Sequence, residues 1–404
     1  MTQDRTEIFG GVDTHKNIHV AAAIDAAGRL LDTAEFAADA HGYANLLGWL
    51  SSHGRVTRVG VEGTGSYGAG LARHLATADV DVVEVNRPNR QTRRRRGKTD
   101  AVDAEAAARA ALNGQAAAVP KSADGPVEAI RMLSVARRSA VKSRTQAANQ
   151  IAGLIVTAPE HLKDRLAGHS TASLVETCTR WRPDRSPDHV TAAAKTALRS
   201  LARRHQALTG EIAQLDAELL ELCEHANPAL LGACGVGPDV AAALLVTAGD
   251  NPHRMRNEAS FAALCGASPI EASSGATVRH RLNRGGNRQA NNALWRIAIT
   301  RLRVDQRTID YAQRRRAQGK TRREIIRCLK RHIAREIYRL LTDPPQTPHG
   351  ADLRRARQRA RLTLRDTGQA LNVPLTRISE LERGLRHNND LAKRYQQHLA
   401  QLPT

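Results

Sequence analysis

The first eighty-five residues alternate short apolar runs with turn signals and helical stretches, and four of the runs end in a carboxylate. Ile8 to Asp13 (IFGGVD), His19 to Asp25 (HVAAAID) and Leu30 to Glu35 read as a three-strand meander, with Ala26-Ala27-Gly28 as a turn signal. His41 to His53 follows as a helical stretch. Val56 to Glu62 (VTRVGVE) reads as a buried strand, Gly63-Thr64-Gly65-Ser66 turns the chain into a helix near Tyr67 to Ala76, and Val80 to Val85 is a fifth strand. This order of elements points to an α/β N-terminal domain.

Neighbouring strands that end together bring their last side chains close, so Asp13 and Glu62 are expected at one edge of one sheet. Downstream, KTDAVDAEAAARAAL has the alanine content of a helix. Asp100 and Asp103 lie three apart and share a face of it, so both can point at the same edge. Four carboxylates gathered there repel one another unless cations share them. That is a site for a hard, oxygen-seeking divalent metal, expected as two Mg²⁺ about 3.5–4 Å apart, the arrangement that clamps a phosphoryl group. The plainer alternative is that such acids are ordinary strand-end and helix-start residues, with Asp100 an N-cap.

In order and spacing, IFGGVDTHK, VGVEGTGSYG and KTDAVDAEAAARAA resemble the RuvC-like, RNase H-fold domain of the DEDD insertion-sequence transposases, a group also called bridge-RNA-guided recombinases. The resemblance implies that Asp13, Glu62, Asp100 and Asp103 are a metal-binding tetrad. It also implies a second conserved block further along the chain.

Composition fits a chain that works on a polyanion. The 61 Lys+Arg against 40 Asp+Glu give a net charge of +21. Aromatic residues are only 3%, so phosphate contacts rather than widespread base stacking should dominate. RPNRQTRRRRGK, Arg87 to Lys98, concentrates Arg93, Arg94, Arg95, Arg96 and Lys98 just before the Asp100 and Asp103 pair. Such a run is either a solvated loop or a hold on a nucleic-acid backbone beside the acids, and the second is expected here. The cysteines, Cys178, Cys223, Cys234, Cys265 and Cys328, form no CxxC pair, so neither a zinc site nor a disulfide framework follows and a reducing compartment fits. With no charged-then-apolar leader and no apolar run long enough for a bilayer, a soluble cytoplasmic protein without a membrane partner is expected.

Val127 to about His225 reads as charged helix, with Arg137, Arg138, Lys142 and Arg144 on its first part, a break at WRPDRSPD, and heptad-like leucines in LTGEIAQLDAELLELC. The family has a coiled-coil linker here that helps to assemble multimers. Leu230 to Asp250 resembles a helix-hairpin-helix, whose glycine turn and helix N-terminus can take a phosphate. Phe261 to Ile299 resembles the second block of the same transposases, in which a serine attacks DNA; Ser274, before Gly275, is the best match and Ser273 the fallback. Taken alone, a serine beside glycine is ordinarily a turn residue. Arg279, Arg281, Arg284, Asn287 and Arg288 are then candidate phosphate or base contacts. Thr321 to Leu341 repeats basic residues every turn, with Ile325, Ile326, Leu329, Ile333, Ile337 and Leu340 as an inward stripe and the charge mostly a solvated face.

TDPPQTPHG reads as a linker. Beyond it, ARQRARLTLRDTGQALNVPLTRISELERGLR resembles a Cro/repressor-like helix-turn-helix, with helices at Leu364 to Leu371 and Leu375 to Glu382. Thr376, Arg377 and Ser379 would then face a major groove. The expected domains are a RuvC-like domain over 5–115, a helical coiled-coil linker over 125–226, a mainly α serine domain over 228–341, a linker over 342–351 and a helix-turn-helix over 352–404.

The function implied is a DNA recombinase that excises and inserts a mobile element, with Mg²⁺ on the acids and a covalent phosphoserine. The family further implies double-stranded DNA as substrate, a guide non-coding RNA, and a homo-oligomer, expected as a tetramer. Two rivals are a RuvC-like junction-resolving nuclease, which needs the acids but not Ser274, and a non-enzymatic regulator acting through the helix-turn-helix.

Overall fold

The computed structural model describes residues 6–85, 99–182, 188–276, 280–344, 348, 350–385 and 388–401. Arg93, Arg94, Arg95, Arg96, Lys98 and Arg279, expected at nucleic acid, lie outside the described residues. The chain divides into two compact units, one of residues 1–125 with 248–257 and the other of 126–247 with 258–404.

The first unit holds β1 (Glu7–Thr14), β2 (Ile18–Asp25), β3 (Leu30–Ala37), α1 (Ala40–His53), β4 (Arg55–Glu62), α2 (Ala69–Thr77), β5 (Asp81–Val85) and α3 (Asp100–Leu112). The sheet order is β3-β2-β1-β4-β5. β1, β2 and β3 form an antiparallel meander, whereas β4 is parallel to both β1 and β5. Gly28, at φ +79°, makes the turn before β3, and the Asp25 carboxylate ties it by accepting from the Arg29 backbone N–H at 2.8 Å. A parallel pairing of β4 with β1 needs a crossover, and α1 supplies it.

Alternation along β1 assigns the two faces of the sheet. Ile8 and Val12 join Leu46, Leu50, Leu71 and Leu75, so α1 and α2 cover one face. Phe9 packs with Ala108, and Val83 and Val85 pack with Ala107 and Ala111, so α3 covers the other. Residues 248–257 join this unit through Asn251, whose amide donates to the Pro120 carbonyl at 2.9 Å.

The second unit is helical apart from one short ladder. Its elements are α4 (Pro126–Thr157), α5 (Glu160–Leu166), α6 (Thr171–Arg180), α7 (His189–Ala226), α8 (Pro228–Leu231), α9 (Pro238–Ala248, ending at the unit boundary), α10 (Glu258–Leu264), the antiparallel pair β6 (Ile270–Glu271) and β7 (His280–Arg281), α11 (Arg288–Val304), α12 (Gln306–Ala317), α13 (Arg322–Thr342), α14 (Gly350–Arg359), α15 (Leu364–Leu371), α16 (Leu375–Glu382) and α17 (Asn389–Ala400). The heptad pattern is used inside the chain. Ile151 of α4 shares a core with Leu198 and Ala202 of α7, while Arg137 pairs with Asp216, so the two long helices run antiparallel. α5 and α6 fill the turn between them, adding Leu162, Val175 and Cys178 to the same core.

On α13 the buried stripe is Ile325, Leu329, Ile333, Ile337 and Leu341, a strict four-residue spacing. The expected Ile326 and Leu340 are only half-buried, each lying one position to the side of that stripe. At the C-terminal end, Asn372 takes a left-handed conformation (φ +53°) to close α15, and α16 begins three residues later. Buried Glu382 accepts from Arg357 Nε at 2.7 Å and from the Tyr395 hydroxyl at 2.7 Å, so the first residue of the Glu-Arg-Gly run is a core brace. No helix among the described residues is long and apolar enough to cross a membrane.

Candidate active site

The placement of the acids begins with two glycines. A Cβ on Gly11 of β1 would lie 2.1 Å from the Ala108 nitrogen and 2.2 Å from the Ala104 oxygen, and one on Gly60 of β4 would lie 2.6 Å from the Ala107 oxygen. The backbone of α3 therefore rests directly on the sheet, and the alanines of DAVDAEAAARAAL permit this close approach as well as favouring helix. Phe9 packs with Ala108 and Gly11 faces Ala104, so α3 runs antiparallel to β1. Two strand residues and four helix residues advance by similar distances, roughly 6 to 7 Å. The same register carried one step further sets Asp100 over Asp13.

Asp13 and Glu62 each lie two residues beyond those glycines, on the face that α3 covers. Val12 is in register with Val61, so the two acids end neighbouring parallel strands. The Thr14 hydroxyl donates to the Glu62 carbonyl at 2.9 Å and pins those ends together. After Glu62, Gly63 turns at φ +62° and the Gly68 N–H returns to its carbonyl at 3.1 Å. A Cβ on Gly68 would stand 2.5 Å from the Glu62 oxygen, so the GTGSYG turn wraps closely around that strand end.

Thr99, not Asp100, caps α3: its hydroxyl accepts from the Val102 N–H at 3.3 Å. The capping alternative for Asp100 is thereby removed. Asp100 and Asp103 both lie in the first turn, Asp100 exposed and Asp103 buried. Asp13 and Glu62 are buried as well. The Asp13 carboxyl titrates above the ordinary carboxylate range, chiefly because burial disfavours its charge. His15 opposes that rise, whereas the charges of Asp100 and Asp103 add to it.

Sequence reasoning missed His15. Its Nε2 lies 3.3 Å from an Asp13 oxygen and 3.3 Å from an Asp100 oxygen. Among the described residues, Asp13, His15 and Asp100 are the set whose ligand atoms all fall within 4.8 Å of one another. Oxygen and imidazole donors bind divalent ions at about 2.0–2.2 Å, so one ion fits among the three. Glu62 and Asp103 do not belong to that set, though the Asp103 charge acts on Asp13 and Glu62 ends the strand beside it. The signal for His15 was its place two residues after Asp13 in the quoted IFGGVDTHK.

The second unit holds the other expected residues. Ser273, Ser274 and Gly275 are exposed beyond β6, with Gly275 at φ +55°. Arg281, Arg284 and Arg288 are exposed. Asn287 is the N-cap of α11: its side-chain oxygen accepts from the Gln289 and Ala290 N–H groups at 2.9 and 3.1 Å. That bonding gives the Asn287 side-chain oxygen a structural task. Thr376 is exposed, and Arg377 and Ser379 are half-buried, with Arg377 3.8 Å from Glu380.

Comparison with known proteins follows the same two blocks. A DEDD family model described as a transposase matches residues 10–158. A second, described as "Transposase IS116/IS110/IS902 family", matches residues 228–313. Together the matches take in more than half of the chain. The chain belongs to the IS110-family DEDD transposases. It is 32% identical over 158 residues to a Streptomyces coelicolor protein named "Insertion element IS110 uncharacterized 43.6 kDa protein", covering 39% of this chain and 37% of that relative. The matched family model is named for its acids, and membership of the serine recombinases does not fit it. A covalent role for Ser274 is a separate question with its own test.

Proposed function

We propose that this chain is a metal-dependent DNA transposase that cuts and joins strands at the acid site of its first unit. The observation that carries the reading is the seating of α3 on Gly11 and Gly60, with Asp13, His15 and Asp100 gathered at the ends of adjacent parallel strands. The strand order and polarity support an RNase H-like reading of this unit.

Mg²⁺ is the ion we assign, held by Asp13 and Asp100 with Glu62 and Asp103 beside them. When bound, it supplies a Lewis acid for the scissile phosphate and lowers the pKa of a coordinated water or hydroxyl. The chain's own residues do the rest. Asp13, buried and reluctant to ionise alone, would hold the cation through its carboxylate. His15, its ring half exposed, lies between the Asp13 and Asp100 carboxylates and would hold them together at such an ion. The +21 charge draws and holds duplex DNA, the substrate we assign.

Ser274 is a second participant favoured by its exposure just before a turn in the second matched block. In that reading its Oγ attacks phosphorus, the displaced strand leaves as a hydroxyl, and attack by a new strand's hydroxyl restores the serine. A guide non-coding RNA, a tetramer, and readout of DNA by Thr376, Arg377 and Ser379 complete the proposal.

The test is excision of DNA flanking the gene in cells carrying the wild-type chain, Asp13→Asn or Ser274→Ala. Loss of excision in both variants supports both roles. Excision by Ser274→Ala removes the covalent serine, and excision by Asp13→Asn removes the metal site. Sequencing nucleic acid that co-purifies with the chain tests the guide: a discrete RNA from beside the gene supports it, and random fragments refute it.

A further inference from the structure

The outer faces of α11 and α13 form a groove of about 550 Å³. α11 contributes Arg288 and Trp295 to it, and α13 contributes Arg323, Arg327 and Lys330, in each case along one helical face. The loop before α11 closes one end, because a Cβ on Gly286 would lie only 2.3 Å from the Gly266 nitrogen and the two segments therefore abut. The lining holds five cationic side chains, Arg284 being the fifth, and no carboxylate.

Two details separate this groove from an ordinary solvated basic face. The chain has three tryptophans, all described, and only Trp295 is exposed; it stands in this groove at 44% exposure. In addition, Lys330 is half-buried, and burial, reinforced by Arg327, pulls its ammonium below the usual lysine range. Its Nζ donates to the neutral side-chain oxygen of Asn291 at 2.8 Å, and Asn291 is fixed in turn by the Cys265 and Gly266 carbonyls at 2.8 and 3.1 Å. A desolvated cation is thus held in place beside an uncovered indole. Clustered cations repel one another, and a phosphodiester chain relieves that repulsion. The volume is that of a small-molecule pocket, too small to seat a duplex. An aromatic face takes an unstacked base of any sequence.

We propose that this groove binds an unpaired nucleotide of a nucleic-acid strand, its base stacked on Trp295 and its flanking phosphates held by Arg288, Arg323, Arg327 and Lys330. The inference rests on the reading of the chain as a nucleic-acid enzyme, and it gives that enzyme a single-strand subsite in its second unit.

The test is a tryptophan-emission titration of the full chain, without divalent metal, with oligonucleotides of about 12 nucleotides, long enough to span a single-strand site. Oligothymidylate, the matching RNA and a duplex are the three probes. The single strands should quench emission strongly and the duplex weakly, and whichever of DNA or RNA binds more tightly identifies the source of the strand. Trp295→Phe should lose the quench yet keep most of the affinity, because a ring remains. Trp295→Ala should weaken single-strand binding by about 10- to 100-fold. Arg327→Ala, at an exposed position, should lower the slope of log affinity against log salt by about one phosphate contact.

Emission unchanged at saturating oligonucleotide, or wild-type affinity in Trp295→Ala, would overturn the proposal. So would emission that follows protein concentration and ignores oligonucleotide, since a second copy of the chain would then cover the indole. Because no step uses the acid site, Mg²⁺-dependent cleavage that survives alongside a failed titration sinks the groove alone. A chain that binds no nucleic acid of any kind sinks both readings.

Discussion

Replacing Gly11 by alanine tests the step on which the acid site depends. The added methyl would stand 2.1 Å from the Ala108 nitrogen and 2.2 Å from the Ala104 oxygen, both backbone atoms of α3. Ordinary contact begins near ~3.5 Å, so the helix must withdraw by roughly 1 Å or tilt. Overpacking of this kind costs about 1–3 kcal/mol, which for a domain of this size lowers Tm by roughly 3–12 °C. The larger effect falls on chemistry. The withdrawal lifts Asp100 and Asp103 away from Asp13, and a displacement near 1 Å at reacting groups is worth about 10²-fold in rate. Differential scanning calorimetry and a metal-dependent DNA cleavage assay measure the two effects. Gly60→Ala, with a closest approach of 2.6 Å, should be milder. Gly48→Ala, at an exposed position of α1 with nothing within 4 Å, should be neutral or stabilising by about 0.5–1 kcal/mol. Wild-type Tm and cleavage in Gly11→Ala would refute the seating of α3 as the device that assembles the site.

Two further outcomes follow from buried polar groups. Glu382→Ala leaves Arg357 buried without its partner, so the C-terminal helices should lose about 3–5 kcal/mol, seen as a separate early transition in thermal circular dichroism. An unchanged melt would show that the Arg357–Glu382–Tyr395 cluster is not a brace. His19 is fully buried and stacked on Tyr43 at 5.6 Å, and burial holds its imidazole below the ordinary histidine range. The unfolded chain takes up that proton first as pH falls below about 6.5, so the first unit should lose stability from there downward until the folded-state pKa is passed. His19→Phe should flatten that slope in urea melts at several pH values, and an equally steep slope in the variant would place its origin elsewhere.

The sheet was legible because its strands are short apolar runs separated by Gly28, Gly54 and Gly63, all of which take positive φ. Asp13 and Glu62 could be placed because parallel neighbours that end together leave little freedom. What the letters did not disclose was the depth at which α3 sits. Gly11 and Gly60 read as strand glycines, and only the opposing helix turns them into a floor. His15 went unnoticed because an exposed polar residue just past a strand end has no periodic signature, and its value comes from Asp100, eighty-five positions away. Asn287 also caps α11 through its side-chain oxygen, a task that its place beside arginines did not announce. Arg323, Arg327 and Lys330 read as a solvated face because sequence spacing does not reveal that α11 lies alongside and brings Trp295. α15 and α16 were legible to the residue, since Thr363 with Asp366 forms a capping box and left-handed Asn372 closes α15, whereas the flanking α14 and α17 were not assigned.

The central claim is that acids from β1, β4 and α3 form one metal-dependent strand-cutting site. Its most direct measurement is the rate of Mg²⁺-dependent cleavage of labelled DNA bearing the sequences that flank the gene, for the wild-type chain and for Asp100→Asn, a substitution at an exposed first-turn position that leaves the Thr99 cap and the seating of α3 intact. The account predicts cleavage that vanishes on chelation and falls by about 10²-fold or more in the variant with no change in melting temperature. Cleavage by Asp100→Asn at the wild-type rate, or cleavage indifferent to metal, would contradict it.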